Sequence, residues 1–193
     1  MLISHLTLDS VDKTITLNGW IQNTRSSGKL CFIELRDGSG YIQCVSEINA
    51  LWEDKFKALD SVGIESSISV TGILSKHQKK DEFELQVVDY TIFGISKDYP
   101  LGTKDDHGPE FLFDNRHLYL RSKSQVAIQR VRDTIIHATY DWMRDNGFTK
   151  IDAPIFTPNA CEGTTDLYAV EHVNGETMYL SQSGQLYIEA AMY

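Results

Sequence analysis

Short stretches in which apolar and polar residues alternate, separated by turn residues, fill the first half of the chain. Five stretches carry the pattern: 14–21, 30–36, 41–45, 67–72 and 83–88. A turn at 37–40 (DGSG) separates the second stretch from the third, and residues 49–62 suit a short helix. A period of two places alternate side chains on opposite faces, so residues 13–95 are predicted to form strands with one buried face.

Five strands with one interposed helix are typical of an OB-fold, a small Greek-key barrel that often holds oligonucleotides. The order of the strands does not follow from the pattern. An unrelated small β-barrel is therefore the alternative for this region.

The same alternation predicts which side chains point away from the core. In strand 30–36, Cys31, Ile33 and Leu35 share the inner face and leave Phe32 on the polar face. Gln43 likewise points outward from the next strand, and the short turn pairs the two strands as a hairpin. An outward ring beside an outward amide can stack a base and hydrogen-bond its edge. A Phe covered by a loop or a neighbouring domain is the alternative.

The strongest helical pattern runs from about residue 124 to residue 146, after a connector at 96–123 that is rich in Pro, Gly and charge. Ser124 can cap its start, and Gly147 supplies its end. Apolar residues recur at helical spacing: Ile128, Val131, Ile135, Ala138 and Trp142. Such a stripe is typical of core packing, although a helix buried in an interface between subunits leaves the same pattern.

The net charge of −9 argues against indiscriminate binding to nucleic acid, and no DNA partner is expected. Basic side chains nevertheless cluster at 76–80 and between Asp114 and Asp133, where the usual interpretation is a solvated surface. The apolar runs are too short to cross a membrane, and the N-terminus lacks the features of a signal peptide, so a cytoplasmic protein is favoured.

The cysteines and histidines give no sign of a metal site. The three cysteines, Cys31, Cys44 and Cys161, are odd in number and lack paired ligand spacing, so reduced core thiols are predicted. The histidines are scattered without a zinc-like grouping. No serine lies in a nucleophile elbow and no Gly-rich phosphate loop is present.

The first half resembles the anticodon-binding domain of the aspartyl, asparaginyl and lysyl subgroup of class II aminoacyl-tRNA synthetases. The resemblance rests on Gly19-Trp20-Ile21, Arg25, 32–37 (FIELRD) and Ile42-Gln43-Cys44. It implies that Arg25, Phe32 and Gln43 engage the central anticodon uridine and that Glu84 reads the first anticodon base. Arg25 reaches the face of Phe32 only if its strand bulges, because Trp20, Gln22 and Thr24 have the opposite parity.

The second half resembles the start of the catalytic domain of the same synthetases. Residues 116–122 (RHLYLRS) are similar to the entry segment, and helix 124–146 with Ile151-Asp152-Ala153-Pro154 is similar to class II motif 1. In that motif the helix and strand form a dimer interface, which implies a homodimer and an interface role for Pro154. The loop 157–166 resembles the mobile loop over the amino acid, in which Glu162 would meet the α-ammonium group.

The segment Ser183-Gly184-Gln185-Leu186-Tyr187 carries the most specific resemblance. It implies that Ser183 and Gln185 hydrogen-bond the bound amino acid. Aspartyl members have Pro at the position of Gly184 and a Lys at the position of Ile188, where the Lys recognises the substrate carboxylate. An apolar Ile would leave that carboxylate buried without a partner, so the pattern is the asparaginyl one.

The resemblance implies a β-rich OB-fold barrel followed by the start of an α/β class II catalytic domain, an antiparallel sheet with helices. The implied division is an anticodon-binding domain at 1–98, a linker at 99–123, and the N-terminal part of the catalytic domain at 124–193. Because residues 186–192 end inside an apolar helix, the chain is interpreted as the N-terminal portion of a longer protein.

The implied function is the ATP- and Mg²⁺-dependent activation of asparagine and its transfer to the asparagine tRNA. Motifs 2 and 3, which hold ATP and Mg²⁺, are expected beyond Tyr193, so no catalytic residue is assigned and the chain alone is predicted to be inactive. The alternatives are an aspartyl or non-discriminating synthetase, a non-catalytic tRNA-binding OB-fold protein, and an amide-forming paralogue. The last normally lacks the OB-fold.

Overall fold

A computed structural model describes residues 1–77, 80–102, 107–158, 160, 163 and 166–192. The chain divides into two compact units, of which the first is Met1–Tyr119 and the second begins at Leu120. Each unit has its own β-sheet.

The first unit is a closed five-stranded barrel. Its strands are β1 (Thr14–Ser27), β2 (Leu30–Arg36), β3 (Tyr41–Glu47), β4 (Ser67–Lys76) and β5 (Phe83–Gly94). They close in the order β1-β2-β3-β5-β4, and β3 and β5 form the parallel pair. This arrangement is an OB-fold, which confirms the prediction and excludes an unrelated barrel.

The barrel core consists of the inward residues that the alternation predicted. Cys31, Ile33 and Leu35 of β2 are fully buried, and so is Cys44 of β3. Cys31 and Cys44 are free thiols, as predicted, whereas Cys161 lies outside the described residues. Complete burial raises the pKa of the Cys44 thiol to about 12, because the thiolate would be desolvated there.

Four strands extend beyond the alternating segments that predicted them, by two to six residues. β1 continues to Ser27 and β5 to Gly94, whereas the pattern covered only 14–21 and 83–88. β3 continues from the predicted 45 to Glu47, and β4 from the predicted 72 to Lys76. The additional part of β1 is polar and partly or fully exposed, yet it pairs with β2 as far as Ser27↔Leu30. Ladder hydrogen bonds do not require an apolar face, so hydropathy marks only the buried part of a strand.

The helix between β3 and β4 is shorter than the predicted 49–62. Helix α1 spans Glu53–Asp60, because residues before it form a turn in which the N–H groups of Ala50 and Leu51 donate to Glu47 O. Trp52 is extended, with ψ of 144°, and ends that turn. The turn places the Leu51 side chain in the barrel core.

The N-terminal segment is attached to the barrel through Asp37. One carboxylate oxygen of Asp37 accepts from Ile3 N at 2.7 Å, and the other accepts from Ser39 N at 2.9 Å and Gly40 N at 3.1 Å. Burial alone raises the pKa of Asp37, but these hydrogen bonds, with that of the Ser39 hydroxyl, outweigh it and hold the pKa below its usual value.

Two short helices complete the first unit, and the second unit combines a long helix with a small antiparallel sheet. The helices are α2 (Pro109–Asp114), α3 (Arg116–Tyr119), α4 (Lys123–Asp145) and α5 (Gln185–Ala191). The strands are β6 (Phe156–Thr157), β7 (Ala169–Glu171) and β8 (Thr177–Leu180), in the order β6-β8-β7. Among the described helices, none has both the length and the apolarity that crossing a bilayer requires.

Helix α4 differs from its prediction in its cap and in its surroundings. Ser122, rather than Ser124, caps the start, because its hydroxyl accepts from Gln125 N at 3.4 Å. The predicted stripe is exposed within the part of the chain that the structure describes. Ile128, Val131, Ile135 and Trp142 are between 47% and 60% exposed.

Candidate nucleic-acid interface and amino-acid pocket

The four predicted nucleic-acid-binding residues lie on neighbouring strands of one outward barrel face. In the antiparallel register Arg25 of β1 is opposite Phe32 of β2. Gln43 of β3 is paired with Glu84 of β5 in the parallel register. Four residues that are far apart in the sequence therefore lie side by side across β1, β2, β3 and β5.

A β-bulge brings Arg25 to this face. The β1–β2 register shifts between Ile21 and Asn23, so that Gln22 is the additional residue of β1. The shift reverses the parity of the residues that follow, and the guanidinium carbon of Arg25 lies 4.7 Å from the centre of the Phe32 ring. The bulge that the parity of Arg25 required is thus present.

The polar members of the face form a continuous chain of hydrogen bonds. Arg25 donates through a terminal guanidinium nitrogen to Gln43 Oε1 at 3.3 Å, and Gln43 Nε2 donates to Glu84 Oε1 at 2.5 Å. The Gln43 amide is thus held from both ends, with its nitrogen towards β5 and its oxygen towards β1. The arrangement combines a stacking ring, a guanidinium group, an amide and a carboxylate, which suits the face and the edge of an unstacked base.

His77 is a neighbour of this network that the sequence did not single out. Its Nε2 lies 3.7 Å from Glu84 Oε1, the oxygen that accepts from Gln43. The β4–β5 turn positions His77, whose backbone N–H donates to Glu82 O at 2.9 Å. His77 belongs to the basic cluster 76–80, between the predicted strands 67–72 and 83–88. That position, close to the start of the strand that contains Glu84, was the only sign in the sequence that His77 could lie near Glu84.

Acidic residues accompany Lys76 and Lys80 of the cluster at 76–80. Lys76 Nζ lies 3.0 Å from Asp81, and Lys80 Nζ lies 3.5 Å from Glu82. Both pairs are largely exposed, where an ion pair contributes at most about 1 kcal/mol. These pairs are consistent with the solvated surface that the sequence predicted for the cluster.

In the second unit, Ser183 and Gln185 lie together at the start of α5. The Ser183 hydroxyl accepts from Gln185 N at 3.1 Å, which orders the first turn. The side-chain Nε2 of Gln185 donates to Glu189 Oε1 at 2.8 Å, one helical turn further on. Glu162, the third predicted residue of this pocket, lies outside the described residues.

Gly184 lies where the start of α5 approaches the segment that follows α4. A Cβ at position 184 would be 2.7 Å from Ala153 Cβ and 3.4 Å from Ile188 Cδ1. Any larger residue here, proline included, would have to displace one of these groups. Pro154 follows Ala153 in the same extended segment, and its side chain is exposed in this chain.

Two known families match the chain, one in each part. Residues 15–93 match the family described as OB-fold nucleic acid binding domain. Residues 108–193 match the tRNA synthetases class II (D, K and N). The second part of the chain thus belongs to the class II tRNA synthetases.

A curated relative and two solved structures are similar to this chain. Asparagine–tRNA ligase of Sorangium cellulosum (strain So ce56) is 49% identical over 183 residues, which cover 94% of this chain and 41% of the relative. The second is the crystal structure of asparaginyl-tRNA synthetase from Pyrococcus horikoshii complexed with asparaginyl-adenylate, which has a TM-score of 0.89 at 30% identity. The match covers 100% of this chain and 44% of the Pyrococcus horikoshii chain.

The asparaginyl-tRNA synthetase of Entamoeba histolytica in complex with asparaginyl-adenylate has a TM-score of 0.76 at 30% identity. That match covers 94% of this chain and 42% of the Entamoeba histolytica chain. The chain thus spans less than half of the length of the relatives that it matches.

Proposed function

We propose that the protein to which this chain belongs is a cytoplasmic asparagine–tRNA ligase, and that residues 1–98 of the chain read the anticodon. The observation that carries the anticodon part is the network of Arg25, Gln43 and Glu84 beside the Phe32 ring. A ring supplies stacking energy, and the polar groups around it supply contacts to a base edge. Phe32 stacks the central anticodon base, Arg25 and Gln43 bond its edge, and Glu84 reads the first base.

The proposed amino-acid pocket belongs to residues 124–193, joined to the barrel by a linker at 99–123. Ser183 and Gln185 bind the substrate, together with Glu162. Ile188 favours asparagine over aspartate, because it provides no positive charge for a side-chain carboxylate, and Gly184 belongs to the same asparaginyl pattern. The 49% identity to an asparagine–tRNA ligase over 94% of this chain supports the same substrate.

ATP and Mg²⁺ are the proposed co-substrate and metal of the full-length protein. Among the residues that the structure describes, no group of three His, Cys, Asp or Glu is placed to hold a metal ion. The roles proposed for this chain do not include ATP or Mg²⁺ chemistry. Its own contribution is to bind and orient asparagine and the tRNA.

The proposed partner of the exposed stripe on α4 is a second copy of the protein. Ile135 and Trp142 are each 60% exposed, and a continuous apolar face of this kind is typical of an interface. Pro154 belongs to the same proposed interface. Sedimentation equilibrium of the full-length protein, with and without Ile135→Glu, tests this assignment, and an unchanged mass would contradict it.

Binding of a short RNA hairpin with the asparagine anticodon, followed by fluorescence anisotropy, tests the anticodon part. Phe32→Ala removes the stacking ring, and a stacked base contributes about 1–3 kcal/mol, so the affinity should fall roughly tenfold. Phe93→Ala is the matched control, because Phe93 is 67% exposed and lies nine residues after Glu84 on the same strand. Equal affinity of the Phe32→Ala and Phe93→Ala chains would contradict the stacking role.

Amino-acid-dependent exchange between ATP and pyrophosphate tests the substrate in the full-length protein. Exchange with asparagine and not with aspartate is expected. Exchange with aspartate would replace the proposal by an aspartyl or non-discriminating enzyme. Ile188→Lys supplies the missing positive charge, so it should raise the exchange rate with aspartate relative to asparagine.

A further inference from the structure

The Gln43 amide is held by two groups with opposite hydrogen-bonding capacity. An ionised carboxylate only accepts hydrogen bonds, and a guanidinium group only donates them. Glu84 takes the Nε2 end at 2.5 Å, and Arg25 takes the Oε1 end at 3.3 Å. A side-chain amide in water adopts either orientation with equal ease. The two hydrogen bonds, from Arg25 and to Glu84, therefore favour one orientation of the Gln43 amide.

We propose that Glu84 is a positioning residue that, together with Arg25, locks the Gln43 amide in one orientation and thereby makes this face distinguish uracil, the central base implied by the resemblance, from cytosine. The base concerned is the one stacked on Phe32, so the inference rests on the proposed anticodon-binding function. It assigns to Glu84 a role at the stacked base, through Gln43, in addition to any direct contact of Glu84 with another base.

The chemistry of the two pyrimidines makes the orientation decisive. An amide has two N–H donors and two oxygen lone pairs, so after these two bonds one of each is left for a base. Uracil offers the O4 acceptor beside the N3–H donor, whereas cytosine offers the N4–H donor beside the N3 acceptor. A base that keeps its place on the Phe32 ring therefore needs one amide orientation if it is uracil and the reverse if it is cytosine.

Reversing the amide is costly because both of its neighbours would then oppose it. Gln43 Oε1 would face the Glu84 carboxylate, so that two acceptors met with no proton between them. Gln43 Nε2 would face the Arg25 guanidinium group, so that two donors met. Each contact replaces a charge-assisted hydrogen bond by a repulsion, and such bonds are the stronger class.

The surroundings of Glu84 support this role. Its side chain is only 17% exposed, and the His77 ring nitrogen lies 3.7 Å from the same oxygen that accepts from Gln43. The strand register independently places Glu84 beside Gln43, because the two are direct partners in the parallel β3–β5 pair. Backbone pairing and side-chain contacts therefore both fix the carboxylate at the amide nitrogen.

Glu84→Gln tests the lock with minimal change of shape. A glutamine at position 84 both donates and accepts, so it tolerates either orientation of the Gln43 amide. The measurement is the affinity of the complete chain for two RNA hairpins that differ only in having U or C at the central loop position. Because every other base is the same, a direct contact of residue 84 with another base cancels in the ratio of the two affinities.

The unchanged chain should prefer the U hairpin, and Glu84→Gln should reduce that preference on the order of tenfold, the discrimination typical of one bidentate pair. Glu82→Gln removes the same charge from the neighbouring turn and should leave the ratio unchanged. Glu84→Asp keeps an acceptor without a donor and should retain more of the preference than Glu84→Gln.

The outcomes separate this inference from the function on which it rests. The anticodon-binding function is refuted if the unchanged chain binds neither hairpin, or if Phe32→Ala and the unchanged chain bind each hairpin with equal affinity. The inference about Glu84 is then refuted too, because it rests on that function. If Phe32→Ala weakens binding but Glu84→Gln keeps the full preference for U, only the lock is refuted. The lock would also be refuted if Glu82→Gln lost as much of the preference for U as Glu84→Gln. The loss would then follow from the change in net charge and not from the contact between residue 84 and Gln43.

Discussion

The closure of the barrel leaves no room for a side chain at Gly72, and Gly72→Ala should therefore destabilise the first unit. A Cβ at this position would lie 2.3 Å from Gln86 O and 2.9 Å from Leu85 Cγ. The β4–β5 register shifts between Thr71 and Gly72, so the clash falls at an irregularity of the ladder. The oxygen belongs to the backbone of the adjacent strand, so it cannot rotate away as a side chain would.

The size of the destabilisation follows from the distance by which the two strands must move apart. Ordinary contact begins at 3.4 Å, so the Cβ and the oxygen need 3.4 minus 2.3, or 1.1 Å, of additional separation. Overpacking costs about 1–3 kcal/mol, and each ladder hydrogen bond lost contributes about 1 kcal/mol more. The lower entropy of alanine in the unfolded chain returns at most about 1 kcal/mol. With one ladder hydrogen bond lost, the expected net loss of unfolding free energy is roughly 1–4 kcal/mol.

Urea unfolding followed by tryptophan fluorescence measures this loss. In a Trp142→Phe background, the reporters are Trp20 and Trp52, which both belong to the first unit. Gly108→Ala is the control, because nothing lies within 4 Å of a Cβ at that position and the cost there should stay below about 1 kcal/mol. A Gly72→Ala midpoint equal to that of Gly108→Ala would refute the steric reasoning.

Three further predictions concern acid stability, thiol reactivity and the start of α5. Hydrogen bonds hold the pKa of Asp37 below its usual value, so the Asp37 carboxylate stabilises the fold fully above about pH 4. This stabilisation is lost as the pH falls through the pKa of Asp37 in the folded chain. The urea midpoint of Asp37→Asn should therefore vary less below pH ~4 than that of the unchanged chain. Cys44, with its pKa raised to about 12, should react with maleimide at pH ~8 only after unfolding, as peptide mapping would show; rapid labelling in the folded chain would contradict its burial. Gly184→Ala should shift the amide NMR signals around Gln185, because a Cβ at 184 would lie 2.7 Å from Ala153 Cβ. Adding Ala153→Gly removes that contact and should restore the signals. A double variant whose spectrum is no closer to the original would contradict this.

The sequence predicted the barrel because burial on one face leaves a period of two. That periodicity placed Cys31, Ile33 and Leu35 inside and Phe32 outside, as the structure has them. It failed at the ends of several strands, most clearly in β1, where ladder pairing continues through polar residues to Ser27. It also misplaced the start of α1, because Ala50 and Leu51 form a turn whose hydrogen bonds compete with those of a helix.

The candidate base-binding face was predictable residue by residue but not as a network. Parity gave Phe32 and Gln43, and the resemblance added Arg25 and Glu84. A bulge is a local adjustment of the ladder that hydropathy does not record, so only the structure could show Arg25 opposite Phe32. The same limit hid His77, because its proximity to Glu84 depends on how the β4–β5 turn is hydrogen-bonded.

By itself the sequence determined the fold class and the family, because burial patterns and motif spacing are properties of the linear chain. The tertiary structure alone decided the orientation of the Gln43 amide, which depends on one group from β1 and another from β5. It alone decided that the apolar stripe of α4 is exposed in this chain, since a helical repeat records a face and not what covers it. Contacts between residues distant in sequence are set by strand pairing and turn geometry, which neither composition nor periodicity encodes.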